Sequence, residues 1–363
     1  MSWRGHWYKQ PHKRQLIPSP NPKLNNMANP QNAPPCCTVD PYDHLELVRN
    51  SDATIKIPHA PAPSDQDGSG PLIIKDVQLN PHLGTWLRLY LPRQPLVTFS
   101  SSGKLPVVFY YHGSGFIISS AASALTHDFC SEMAVHLPAA VVSIEYRLAP
   151  EHRLPAAYED AVEALRWLKR FDDEWVCEFA DVSNCFLMGS SAGANMAYHA
   201  GLRAASTNGD LEPVKIRGLI LHHPFFGGSK RTGSEMRLVN DPILPLSVTD
   251  LMWELSLPIG VDRDHEYCNP TAGKGRGQLD EIKRLGWRVL VTGCDGDPLV
   301  DRQKEAAEMM EGEGVEVVAH FVEGDHHGIE LMVPDKAKAL FGILKNFIKQ
   351  PSRFGLHFPP KKK

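Results

Sequence analysis

Short hydrophobic runs, each closed by small or charged residues, recur through the middle of the chain, and their length limits what they can form. Leu105-Pro106-Val107-Val108-Phe109-Tyr110-Tyr111 and Val141-Val142-Ser143-Ile144 predict buried strands. Cys185-Phe186-Leu187-Met188, Leu219-Ile220-Leu221, the run from Trp287 to Gly293 and the run from Val315 to Phe321 predict further strands. Between them lie stretches with helical spacing: Ala161 to Leu168, the segment opened by Ala194-Asn195-Met196-Ala197-Tyr198, and a stretch from near Asp301 through Met310. Strands that alternate with helices predict a parallel sheet covered on both faces, an α/β three-layer domain.

The exits of these strands hold the chemistry. Met188 runs into Gly189-Ser190-Ser191-Ala192-Gly193, a Gly-x-Ser-x-Gly between strand and helix. A serine there sits on a cramped turn that small neighbours permit, and its hydroxyl projects at the edge of the sheet as a nucleophile. Taken alone, the pentapeptide also fits a plain Gly/Ser turn. Tyr111 runs into His112-Gly113-Ser114-Gly115-Phe116, whose main-chain N–H groups are candidate donors to the oxyanion of an acyl transfer.

After Gly293 the chain enters Cys294-Asp295-Gly296-Asp297-Pro298-Leu299-Val300-Asp301-Arg302. An acid at a strand exit can orient a histidine and stabilise its imidazolium. Asp297 is the candidate for that role; for Asp295 and Asp301 the expectation is a turn acid that caps the following helix. After Phe321 comes Glu323-Gly324-Asp325-His326-His327-Gly328, where either histidine could serve as general base. Glycine loop, Ser, Asp, His is the chain order of the α/β-hydrolase triad, not that of chymotrypsin or subtilisin.

At this level of detail the sequence resembles the plant carboxylesterases of the hormone-sensitive-lipase type, a group that includes hypersensitivity-related esterases and the gibberellin receptors. The resemblance spans about Asp40 to Lys349 and rests on Asp40-Pro41-Tyr42, the His112 to Phe116 loop, Glu145-Tyr146-Arg147-Leu148-Ala149-Pro150-Glu151-His152, Pro155-Ala156-Ala157-Tyr158-Glu159-Asp160, the serine turn and Asp297-Pro298-Leu299-Val300-Asp301-Arg302. It implies an α/β-hydrolase three-layer sandwich with a mostly parallel eight-stranded sheet and a cap over the active site. It implies Ser191 as nucleophile, Asp297 as acid and, through a Gly-x-x-His pattern from Gly324, His327 as base. The oxyanion donors it implies are the amides of Gly113, Ser114, Gly115 and Ala192. The expected reaction is hydrolysis of a small-molecule carboxylic ester through an acyl-enzyme, with no cofactor and no metal. A lyase or cyclase acting on a specialised metabolite, or a hormone receptor on the same fold, is the competing reading. The family's receptors lose the catalytic histidine, whereas this chain keeps His327.

One position departs from the family, which usually reads His-Gly-Gly-Gly where this chain has Ser114. A main-chain donor survives a side-chain change, but a non-glycine residue restricts the dihedrals of the loop. Within Glu145 to Asp160 the acids read as scaffold. Between Phe226 and Leu285 the strand and helix rhythm breaks, and the insertion, with Leu251-Met252-Trp253, is expected to fold over the serine as a lid. The segment from Tyr42 to Val48 is expected to complete the cap, as the resemblance implies. For Met252 and Trp253 plain packing is the expectation.

Composition narrows the class further. With 363 residues and 42% hydrophobic content, the chain suits one enzyme-sized domain, here residues 40–349 with cap segments at about 40–60 and 226–285. The first 39 residues contain no acid and are rich in Pro, Asn and Gln, which predicts disorder; residues 350–363 read as a solvated tail. Neither a signal-peptide apolar core nor a bilayer-length apolar run occurs, although a basic, acid-free start is compatible with a transit peptide. Seven cysteines without a CxxC pair, and no Asn-x-Ser/Thr acceptor, predict a reducing compartment, the cytosol. A net charge of −4 without a basic stripe leaves nucleic acid no electrostatic footprint. His222-His223 reads as a strand-end pair in place of a metal site, because HExxH spacing is absent.

Overall fold

A computed structural model describes residues 37–49, 55–56, 70–93, 103–170, 173–273 and 276–350. The segment 1–36 and the tail 351–363 lie outside the described residues, and with them nearly all of the expected disorder. The described chain opens with α1 (Pro41–His44), which Asp40 caps by accepting from the amides of Tyr42 and Asp43. After a short antiparallel pair, Val48–Arg49 with Ile55–Lys56, comes a hairpin, β1 (Leu72–Asn80) and β2 (Thr85–Pro92), whose turn is set by the Asn80 side chain accepting from the amides of His82 and Leu83.

From there strands and helices alternate: β3 (Leu105–Tyr111), α2 (Ala124–His136), β4 (Ala140–Glu145), α3 (Ala156–Arg170), α4 (Glu174–Phe179), β5 (Ala180–Ser190), α5 (Ala192–Ser206) and β6 (Ile216–His222). The insertion carries α6 (Gly233–Arg237), α7 (Leu246–Ser256) and α8 (Leu279–Arg284); β7 (Arg288–Cys294), α9 (Val300–Gly312), β8 (Glu316–Val322) and α10 (Pro334–Lys349) complete the domain. The strands form one eight-stranded sheet in the order β1-β2-β4-β3-β5-β6-β7-β8. β2 alone runs opposite to the other seven.

Both faces of the central strands are covered, which explains why they read as unbroken apolar runs and not as alternating ones. Val107, Phe109 and Tyr111 pack into one cluster with α3 and α5, while Val108 and Tyr110 pack into the other with α2 and α10. β8 lies at the sheet edge and is partly exposed, in keeping with Glu316 and His320 within it.

The parallel register aligns the strand exits. Tyr111 pairs with Gly189, Ser190 with His222, His222 with Thr292, and Cys294 with Val322. Five loops therefore leave the sheet along one edge, the edge where ligands bind in open α/β sheets. The amino-terminal segment is tied to the insertion: the amide of Thr38 donates to Asn240, Ser247 Oγ donates to the Val39 carbonyl at 2.8 Å, and His44 Nε2 lies 3.2 Å from the Ile243 carbonyl. Trp253 of α7 is buried with its ring stacked on Phe225 at 4.5 Å, an arrangement worth about 1 kcal/mol beyond the area it buries.

Candidate active site

The turn that carries Ser191 is set by its two glycines. A Cβ on Gly193 would stand 1.9 Å from the Tyr111 carbonyl oxygen, and one on Gly189 would stand 2.0 Å from the Gly193 backbone, so neither position admits a side chain. Ser191 itself takes φ 57° and ψ −119°, a conformation that costs about 1–3 kcal/mol and persists because its surroundings over-determine it. Its amide donates to the His222 carbonyl, and its own carbonyl accepts from the amides of Ala194, Asn195 and Phe225. Asn195 is buried and saturated, donating to the carbonyls of Phe225 and Tyr267 while accepting from Tyr158 Oη at 2.7 Å.

The glycine loop lies directly against this turn. A Cβ on Gly113 would meet the Ser190 carbonyl at 2.9 Å and Ser191 Cβ at 3.2 Å. Ser114, Gly115 and Phe116 all have positive φ, at 77°, 64° and 67°. Their carbonyls are engaged: Ser114 accepts from the amides of Ile117 and Ile118, Gly115 from Ser256 Oγ, and Phe116 from the Ala149 amide. Among the described residues the amides of Gly113, Ser114, Gly115 and Ala192 donate to no other group of the protein. Of these, Gly113 lies against Ser191 and Ala192 follows it in the chain; open main-chain donors are what an oxyanion requires. The loop is braced by Glu145, which accepts from Ser120 Oγ and the Ala121 amide, while Asp160 accepts from the Arg147 backbone and guanidinium.

The insertion comes closer to this loop than its sequence suggested. A Cβ on Gly115 would stand 2.2 Å from Met252 Sδ, so Met252, expected only to pack, presses on the loop itself.

Asp297 is fully buried, and its carboxylate is saturated. Oδ1 accepts from the Leu299 amide at 2.8 Å; Oδ2 accepts from Gln303 Nε2 at 2.7 Å and lies 2.9 Å from His223 Nδ1 and 2.7 Å from His327 Nδ1. Burial opposes its ionisation, but the two imidazoles outweigh that and hold the carboxyl well below the usual carboxylate range. With Nδ1 of His327 on Asp297, its Nε2 is the nitrogen left for a serine. Among the described residues the Ser191 hydroxyl makes no hydrogen bond to His327, a contact that commonly tightens only when substrate is present.

The neighbouring acids have other tasks. Asp295 accepts from the Gly324 amide and ties the acid loop to the histidine loop, and Asp301 accepts from the Ser234 amide and fastens the insertion. Neither caps α9, contrary to the sequence expectation, since its N-cap is Leu299 and forms no side-chain cap. His326 turns its Nδ1 to the carbonyl of His327, away from the acid.

Sequence reasoning missed the rest of the acid's environment. His223 has φ 47° and reaches Asp297 with Nδ1 and Glu330 Oε1 with Nε2 at 3.5 Å. His222 places Nδ1 2.7 Å from Thr292 Oγ1 and Nε2 3.2 Å from Glu330 Oε2. The available signal was the position of the pair at the exit of the strand beside that of Ser191. Burial pulls the His223 proton off, but hydrogen bonds to Asp297 and Glu330 outweigh it and push its pKa up to about 9. Burial lowers that of His222. Glu330 is held well below its usual range by both imidazoles despite desolvation. His222, His223 and Glu330, and likewise His223, Asp297 and His327, gather potential metal-ligand atoms within 4.8 Å of one another. The imidazole–carboxylate separations of 2.7 to 3.5 Å fit shared protons, and both groups are read as hydrogen-bonded networks. A separate groove of about 440 Å³ between α3 and α5, lined by Tyr198, His199, Arg203 and Tyr267, contains none of the candidate residues.

Comparison with known proteins is in keeping with this geometry. Residues 108–331 match a family model described as alpha/beta hydrolase fold. The chain is 53% identical to carboxylesterase 20 of Arabidopsis thaliana over 86% of its own length and 98% of that protein. It is 44% identical to a 3-O-acetylpapaveroxine carboxylesterase of Papaver somniferum, with 85% and 98% covered. Among solved structures, a hyperthermophilic esterase from the archaeon Pyrobaculum calidifontis superposes with a TM-score of 0.64 at 25% identity, covering 76% of this chain and 83% of the other.

Proposed function

The chain belongs to the plant carboxylesterases of the α/β-hydrolase fold and is a carboxylic ester hydrolase; from that premise we propose that it works through Ser191, His327 and Asp297 by way of an acyl-enzyme. His327 Nε2 takes the Ser191 proton as Oγ attacks the ester carbonyl, and Asp297 holds the imidazole by Nδ1 and stabilises the imidazolium. The amides of Gly113, Ser114, Gly115 and Ala192 receive the oxyanion. His327 then protonates the leaving alcohol, activates water, and the acyl-enzyme is hydrolysed. The observation that carries this reading is the 2.7 Å contact from His327 Nδ1 to a saturated, buried Asp297, on the same sheet edge as a strained Ser191 faced by open amides.

For the substrate we propose the ester of a short acyl group with a plant metabolite. Met252 against Gly115 leaves little room beside the loop for a long chain, and the poppy relative is named for an O-acetyl compound. The segment 37–44 and α7 are proposed as parts of the cap. We assign the protein to the cytosol on its free cysteines; no described helix is long and apolar enough to cross a membrane. An organophosphate should label Ser191 stoichiometrically, and Ser191→Ala should abolish turnover across a panel of acetyl to octanoyl esters, with acetyl fastest in the wild type. Undiminished turnover by Ser191→Ala would refute the mechanism, and a serine-independent elimination product would identify a lyase.

A further inference from the structure

The ordinary triad gives its acid one imidazole; here Asp297 Oδ2 has two, from His327 and from His223, with ring centroids 5.4 Å apart and planes nearly perpendicular. We propose that His223, an imidazolium held between Asp297 and Glu330, is a positioning residue of the active site: it fixes the Asp297 carboxylate and offsets its charge, so that His327 remains a working base at mildly acidic pH. This rests on the triad mechanism given above and adds to it a second acid and a second histidine.

Geometry supplies the main support. His223 has no exposure to speak of, at 1%, and both its ring nitrogens face carboxylates, so it has donors for two acceptors only when doubly protonated. Glu330, in the short turn Ile329–Leu331 just beyond His327, has a side chain only 10% exposed and faces both imidazoles, Oε2 toward His222 at 3.2 Å and Oε1 toward His223 at 3.5 Å. The charged and titratable groups around His223 are Asp297 from the β7 exit, His222 from β6, and His327 and Glu330 from the β8–α10 loop. Two carboxylates face His223 and one imidazolium lies between them, leaving a single net negative charge to act on His327. Without the imidazolium both carboxylates act unbalanced, His327 keeps its proton to higher pH, and the base is lost where the wild type still works.

His223→Gln isolates this effect, since its amide can still donate to Asp297 but cannot carry charge. The readout is kcat/KM for an acetyl ester against pH. The acid limb should move up by about one pH unit or more, with the plateau within about threefold of wild type and the loss confined to kcat. His223→Leu, which removes both charge and donor, should also lower the plateau, by about tenfold or more, because the acid is no longer fixed. His326→Gln, a neighbouring imidazole away from the acid, should leave the limb unmoved. A His223→Gln profile superimposable on the wild type would overturn the proposal and make His223 structural only. His327→Gln separates the two failures: if it stays active, the triad reading falls; if it is dead while His223→Gln shows no shift, only this inference falls.

Discussion

Substituting Gly193 by Ala tests how tightly the nucleophile turn is built. The new Cβ would stand 1.9 Å from the Tyr111 carbonyl oxygen and 2.7 Å from that of His112, against the 3.0 Å that real Cβ atoms essentially never cross. Both obstacles are backbone of β3 and its exit, so the first can be relieved only by a relative displacement of 1.1 Å or more (3.0 − 1.9) between α5 and the sheet. Overpacking of this kind costs about 3 kcal/mol or more, offset by about 1 kcal/mol of helix propensity. The net loss of about 2 kcal/mol or more lowers Tm by roughly 4 °C or more. A shift of about 1 Å at the attacking oxygen costs on the order of 100-fold in turnover. Two other glycines calibrate the measurement. A Cβ on Gly201, in the same helix, meets the two methyls of the buried Leu219 at 2.7 and 2.9 Å, side-chain atoms and not backbone, so overpacking of about 1–3 kcal/mol set against about 1 kcal/mol of helix propensity should leave Gly201→Ala less destabilised than Gly193→Ala. Gly312, at the end of α9, has nothing within 4 Å, and Gly312→Ala should gain up to about 1 kcal/mol. Thermal unfolding by circular dichroism and acetyl-ester turnover would be read for all three. A Gly193→Ala protein with the wild-type Tm and rate would refute the close packing from which the strained serine turn follows.

Two further outcomes are expected. Ser114→Gly relieves a φ of 77° and should raise stability by up to about 1 kcal/mol; acetyl-ester turnover should stay within threefold if the main-chain amide is the donor, and a tenfold loss would mean that the hydroxyl serves instead. The pKa of His223 is raised from 6.5 to about 9, so its stabilisation is complete below pH 6.5 and disappears as pH rises through about 9. The depressed Asp297 and Glu330 act in the other sense, giving stability above the ordinary carboxylate range that is lost as pH falls. The Tm should therefore decline more steeply between pH 6.5 and 9.5 in the wild type than in His223→Gln, and equal slopes would contradict the charged state of His223.

Much of the site was legible locally. A run such as Val107 to Tyr111 admits one reading because both its faces must be buried, and the residues that follow each strand, Gly113, Ser191, Asp297 and His327, are small or titratable where the backbone leaves the sheet. Which acid did which work was not legible to the same degree. Asp295, Asp297 and Asp301 look alike as turn residues, and only the approach of the Gly324 and Ser234 amides separates their tasks.

The amino-acid order by itself determined the class of fold, the sheet exits and the serine turn, since these follow from burial and backbone sterics within a few residues. Only the tertiary structure decided that His223 would meet Asp297, 74 positions away, and that Met252 would press on Gly115. The first contact depends on the register that sets Ser190 beside His222 and His222 beside Thr292, the second on how the insertion packs on the sheet edge, and neither is a property that a single segment encodes.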